Sequence, residues 1–170
     1  MTTSFTIRHT FDTDLDTYWS KVFFDDEYNR RLYLEGLKFH SFEVIEKTGE
    51  PGKDFTRKIR TEPNADAPAV VRKLIGDSLA YVESGRFDPK ARRWSYTVTT
   101  SKLAEKIKIN GDFWAEARGD KKVERFCTVN VDVSIFGVGR VVEGFIEKTT
   151  RESYDRAAVF TNTFIREKKL

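Results

Sequence analysis

The stretch Val123–Phe164, VERFCTVNVDVSIFGVGRVVEGFIEKTTRESYDRAAVFTNTF, decides how this chain is read. Its first part alternates, placing Val123, Cys127, Val129, Val131, Val133 and Ile135 on one face, with Arg125 in the same phase. Beyond the Gly137/Gly139 joint the spacing turns helical through Val138, Val142, Phe145, Thr149, Ser153, Ala157, Phe160 and Phe164. A change of period from 2 to about 3.6 within a few residues marks a strand running into a helix. A helix of roughly 30 residues would be about 45 Å long. Its apolar stripe needs a cover of that length, and a curved sheet built from the rest of the chain is the partner expected.

Working outward, Phe5, Ile7, His9 and Phe11 alternate with polar residues as a first strand. Asp12, Asp14 and Asp16 then offer helix caps before Leu15, Tyr18, Trp19, Val22 and Phe23, and Tyr28, Leu32 and Leu34 fit a second short helix ending near Gly36. Six strand signals follow, over 37–47, 54–61, 78–87, 93–101, 106–118 and 123–135, separated by short polar turns that favour an antiparallel meander. The segment Pro63–Gly76 fits no strand, yet carries Val70, Val71, Leu74 and Ile75 beside Arg72 and Lys73. The expectation is an α+β protein of order β-α-α-β6-α, with residues 1–170 forming one domain.

This order resembles the helix-grip fold of the START and Bet v 1-like (SRPBCC) superfamily. Within it the chain looks closest to a bacterial branch, domain-of-unknown-function family 2505. That similarity rests on Phe136-Gly-Val-Gly-Arg-Val-Val-Glu-Gly-Phe-Ile-Glu147 and on Phe160-Thr161. The resemblance implies a sheet curled around the long helix, a cavity between them, and a hydrophobic ligand. A minority of the superfamily are enzymes, and fold does not choose between binding and catalysis.

Composition narrows the classes without naming a ligand. The 170 residues carry 34% charged and 39% hydrophobic side chains and 14 Phe, an excess that either packs a core or lines a cavity. The net charge of +3 comes from 30 basic and 27 acidic residues that are interspersed, so no nucleic-acid partner is expected. Cys127 is the only cysteine, no apolar run approaches the ~20 residues that span a bilayer, and MTTSFTIRHTFDTDLD lacks a signal-peptide core. A cytoplasmic monomer is the expectation.

Strand phase nominates the interior wall: Tyr81, Glu83, Trp94, Tyr96, Val98, Ile107, Ile109, Phe113, Arg125, Cys127, Val129, Val131, Val142, Phe145, Phe160 and Phe164, which fill a solid core or surround a ligand. Arg57, Glu83 and Arg125 are anomalies, because each sits in an apolar phase where an unpaired charge costs several kcal/mol. Either they orient a ligand head group, with Glu83 and an arginine paired, or they lie near strand ends and reach solvent. Val70, Val71, Leu74 and Ile75 are either a lid that touches anionic membrane during ligand exchange or a loop helix packed on the sheet.

Other motifs fail. His9 and His40 have no metal-ligand spacing, and His9 reads as a hydrogen-bonded structural residue. The Asp12/Asp14/Asp16 run lacks the glycine and glutamate of a calcium loop, and Gly137-Val-Gly139 lacks the third glycine of a dinucleotide fingerprint. No nucleophile with its base is present, and neither metal nor cofactor is expected. Ligand binding, with transfer between membranes, is the leading function. The alternatives are a cyclase or dehydratase using Glu83, and a ligand-free protein-interaction domain.

Overall fold

A computed structural model describes residues 2–64 and 66–170. Met1, and Ala65 within the 63–76 segment, lie outside the described residues. Seven antiparallel strands form one sheet: β1 (Thr2–Phe11), β2 (Ser41–Gly49), β3 (Phe55–Glu62), β4 (Tyr81–Asp88), β5 (Arg93–Thr100), β6 (Ile107–Ala117) and β7 (Val123–Val133). Their spatial order is β1-β7-β6-β5-β4-β3-β2, a meander from β2 to β7 with β1 added at the far edge. The sheet curves around α4 (Gly139–Lys168), the long C-terminal helix, in the helix-grip arrangement.

Between β1 and β2 lie α1 (Leu15–Thr17) and α2 (Asp26–Arg31), each winding into a π-helical turn, over Tyr18–Phe23 and Leu32–Gly36. Asp14 and Asp25 cap these helices by accepting from the amides of Thr17 and Tyr28 at 2.8 and 2.7 Å, so of the aspartate run Asp14 serves a helix start, while Asp12 and Asp16 pair with Lys122 and Arg92. The first π turn buries Tyr18, Trp19, Val22 and Phe23 together. Trp19 sits at the centre of a ring cluster with Phe23, Phe87, Phe24 and Phe113, at centroid distances of 4.9 to 6.3 Å. A large share of the phenylalanine excess is therefore plain core packing.

The second strand begins at Ser41 rather than Leu37. Leu37 and Phe39 instead bury against Ala157 of α4 as a small separate cluster, and Lys38 between them takes a left-handed φ of 56°, which breaks an extended run. The unassigned segment forms a short helix, α3 (Ala69–Ile75). It is pinned down: Val71 is 0% and Ile75 3% exposed in the main core, the Lys102 ammonium donates to the Ile75 carbonyl, and of the apolar side chains nominated as a lid only Val70, at 38%, is exposed. No helix is long and apolar enough to cross a membrane among the described residues.

Candidate functional site

Between the concave sheet face, α4 and the 63–79 segment lies a cavity of about 1060 Å³. That is the upper end of the roughly 300–1,000 Å³ range of small-molecule sites. Its shape starts with two glycines on the inward phase. A Cβ on Gly85 would lie 2.0 Å from the Trp94 indole, and one on Gly111 would lie 1.9 Å from the Thr128 carbonyl and 2.7 Å from the Tyr96 hydroxyl. The missing side chains let the two rings lie down over the neighbouring strands. Both rings then become wall rather than filling, and the volume above them stays open.

Of the nominated wall and head-group residues, Arg57, Tyr81, Glu83, Trp94, Tyr96, Val98, Ile109, Phe113, Arg125, Val129 and Phe145 line this cavity, whereas Ile107, Cys127, Val131, Val142 and Phe164 are packed into the surrounding core and do not line it. Neither does Phe160. It packs beside Tyr28 and under the Arg31 guanidinium, against the space left by Gly36, because its position on α4 faces the short helices rather than the sheet. Of the four nominated lid residues, Ile75 reaches the cavity, whereas Val70, Val71 and Leu74 do not line it.

The charges are inside. Arg57 is 6% and Arg125 3% exposed, so neither reaches bulk solvent as a snorkelling strand-end residue would. Glu83 pairs with neither of them by a direct ion pair among the described residues: β5 and β6 separate it from Arg125, and Arg57 on β3 acts on it through its field. Arg57 instead lies over the rings of Trp94 and Phe23, 5.3 and 5.6 Å from their centroids. Burial raises the Glu83 carboxyl above its ordinary range, opposed by the Arg57 charge and by the Trp94 indole N–H within hydrogen-bonding reach. Glu83 keeps some accessible surface, and that surface faces the cavity rather than the exterior.

A carboxyl raised in this way binds its proton more tightly folded than unfolded, so its contribution to stability falls as pH rises from 4.5 through the folded value. Glu83→Gln is therefore expected to melt higher than the parent at pH 7.5 and alike near pH 4. Each kcal/mol relieved moves Tm by about 2–4 °C in a domain of this size. Paired thermal melts at the two pH values check it, and a lower Tm at pH 7.5 would contradict the assignment.

Several cavity groups escaped the sequence pattern. Tyr33, from the second π turn, joins Tyr81 and Glu83 at one end, and burial with the Glu83 charge holds both phenols protonated. Tyr154 of α4 accepts from the Cys127 thiol at 3.2 Å, and the Tyr96 hydroxyl lies 3.5 Å from the same sulfur. Burial pushes that thiol up, so Cys127 is an unreactive donor rather than a nucleophile. Glu143, one residue past Val142, is buried and accepts from the Val133 amide and the Thr3 hydroxyl, tying α4 to both edges of the β1–β7 pair. The helical stripe traced in sequence missed Tyr154 and Glu143 by one position each, because α4 is gripped on more than one face. Among the described residues no cluster of three or more His, Cys, Asp or Glu side chains is placed to hold a metal ion.

A family model described as "Protein of unknown function (DUF2505)" matches residues 6–165. No curated protein matches the chain. Among solved structures, the Zhui aromatase/cyclase from Streptomyces sp. R1128 superposes with a TM-score of 0.71 at 11% identity, covering 100% of this chain and 97% of that one. Norcoclaurine synthase from Thalictrum flavum gives 0.66 at 15%, covering 98% and 88%. A START superfamily protein from Mycobacterium smegmatis gives 0.60 at 11%, covering 98% and 97%. At these identities the likeness is one of fold.

Proposed function

The chain belongs to the family described as Protein of unknown function (DUF2505), and we propose that it binds an apolar ligand of lipid character in its helix-grip cavity and shields it from water. The observation that carries this reading is a partly open space of about 1060 Å³ with aromatic walls, into which charged side chains also project. Apolar burial, at about 25 cal/mol per Å², would supply the affinity. One buried arginine would orient a polar head. Intermembrane transfer is part of the proposal. Release of α3 would open the mouth and expose Val71 and Ile75 beside Val70, Leu74, Arg72 and Lys73, a composition suited to an anionic membrane surface.

Native mass spectrometry of freshly purified protein, with extraction of whatever is released, tests this reading. A stoichiometric lipid adduct is the expected result. A bare protein mass, with no uptake from added liposomes, would overturn it.

A second reading rests on Glu83. A carboxyl with raised proton affinity between the Tyr33 and Tyr81 phenols has the character of a general acid–base, and two of the compared folds carry enzyme names. Glu83→Gln separates the two: a carrier keeps its cargo, whereas an enzyme keeps substrate binding and loses turnover.

A further inference from the structure

Arg125 is buried, and among the described residues no carboxylate pairs with it, an arrangement that is costly for a charged side chain. The rings of Phe11, Tyr154 and Phe113 lie 5.0, 5.0 and 5.6 Å from the guanidinium carbon and offset part of that cost. They leave the donors unmet. The Nε–H in particular is buried with no hydrogen-bond partner, on a residue that lines the cavity.

The guanidinium is nonetheless held. His9 and Arg125 stand directly opposite each other in the β1–β7 ladder, on the inward phase. Arg125 Nη2 lies 2.8 Å from His9 Nδ1, and His9 Nε2 lies 2.8 Å from Asp155 Oδ1 of α4. Arginine only donates, so Nδ1 accepts, and this assigns the imidazole proton to Nε2, facing Asp155. Burial and the Arg125 charge hold the imidazole below its ordinary pKa, against the pull of Asp155, which favours the neutral, accepting form. An exposed aspartate thus orients a histidine, and the histidine orients a buried arginine. That chain is a support for one donor on a residue that lines the cavity.

We propose that Arg125 recognises a carboxylate on the apolar ligand, with His9 and Asp155 as positioning residues. The assignment rests on the ligand-binding reading above and narrows it to amphiphilic carboxylic acids. One planar guanidinium with an unmet donor matches one planar carboxylate. A phosphate would call for further cations at the same spot, and three strands separate Arg57 on β3 from Arg125 on β7 in the sheet order. The Tyr18 hydroxyl, close enough for the Arg125 charge to act on it, also lines the cavity and would supply a neutral second contact at that end.

The test compares dodecanoate with dodecanol, two chains of equal length that differ in the head group, by isothermal titration at pH 7.5. The parent protein is expected to prefer the acid by about tenfold or more, the worth of one charge-assisted contact. Arg125→Met should abolish that preference while dodecanol affinity stays within about threefold. Arg57→Met should preserve it. His9→Leu should erode the preference and His9→Gln restore it, because the glutamine amide can accept from Arg125 and donate to Asp155 at once. Restoration separates positioning from simple loss of packing.

Equal binding of acid and alcohol by the parent would overturn the carboxylate assignment and leave the ligand-binding reading standing. A preference that survives Arg125→Met, or vanishes with Arg57→Met, would overturn the choice of residue. Binding of neither probe would overturn both readings.

Discussion

Gly111→Ala is expected to destabilise the protein by about 3 kcal/mol or more, a drop in Tm of roughly 10 °C. The added methyl would meet the Thr128 carbonyl at 1.9 Å, and that oxygen belongs to the paired strand and cannot move aside without breaking the β6–β7 ladder. It would also press on the Tyr96 hydroxyl, which donates to the same carbonyl at 3.2 Å. Gly144→Ala provides the contrast. It lies inside α4 with nothing near its would-be Cβ, so alanine there should stabilise by about 0.5–1 kcal/mol. Thermal melts of the two variants side by side check both signs. Equal Tm values would mean that the ring-over-glycine packing does not shape the cavity floor.

The second large effect is on binding. Val98 and Ile109 are cross-strand partners on β5 and β6 that line the cavity and remain half-buried only because their free faces look into it. Ile109→Trp is expected to fill that space at little cost in stability. In a solid core the same change would overpack the site and cost about 1–3 kcal/mol. Displacing roughly 100 Å² of ligand surface removes about 2.5 kcal/mol, so uptake of an apolar probe should fall close to a hundredfold. Titration with an environment-sensitive fluorophore, paired with a thermal melt, reads both quantities. A large loss of Tm would indicate that the region is packed solid, and unchanged uptake would place the ligand elsewhere.

The sites these variants probe were unequally visible beforehand. Arg57, Glu83 and Arg125 stand out in a linear reading, since a charge in the apolar phase of a strand is costly wherever the strand ends up. Trp94 and Tyr96 follow from the same alternation. Their lying flat over Gly85 and Gly111 does not follow, because it depends on which residues the register sets side by side. Tyr33 and Tyr154 were hidden for a related reason: a π turn and a helix gripped on two faces both depart from the single apolar stripe that a period of 3.6 assumes. Phe160 shows the converse. It keeps the helical spacing of Val142 and Phe145, yet α4 is long enough that this end of the stripe meets the short helices instead of the cavity.

By itself the sequence determined the kinds of element and their order: seven strands, two short helices after the first, and one long helix at the end, because periods of 2 and 3.6 are properties of consecutive residues. It also determined which faces are apolar and which charges violate them. Only the tertiary structure decided what those charges meet. His9 and Arg125 are 116 positions apart and Asp155 lies on a different element, yet β1 pairing with β7 and α4 crossing both bring the three within hydrogen-bond distance. Whether the aromatic wall closes into a core or stands back from a cavity was likewise decided there. Sheet curvature and strand register are set by contacts summed over the whole chain, and no local window of sequence contains them.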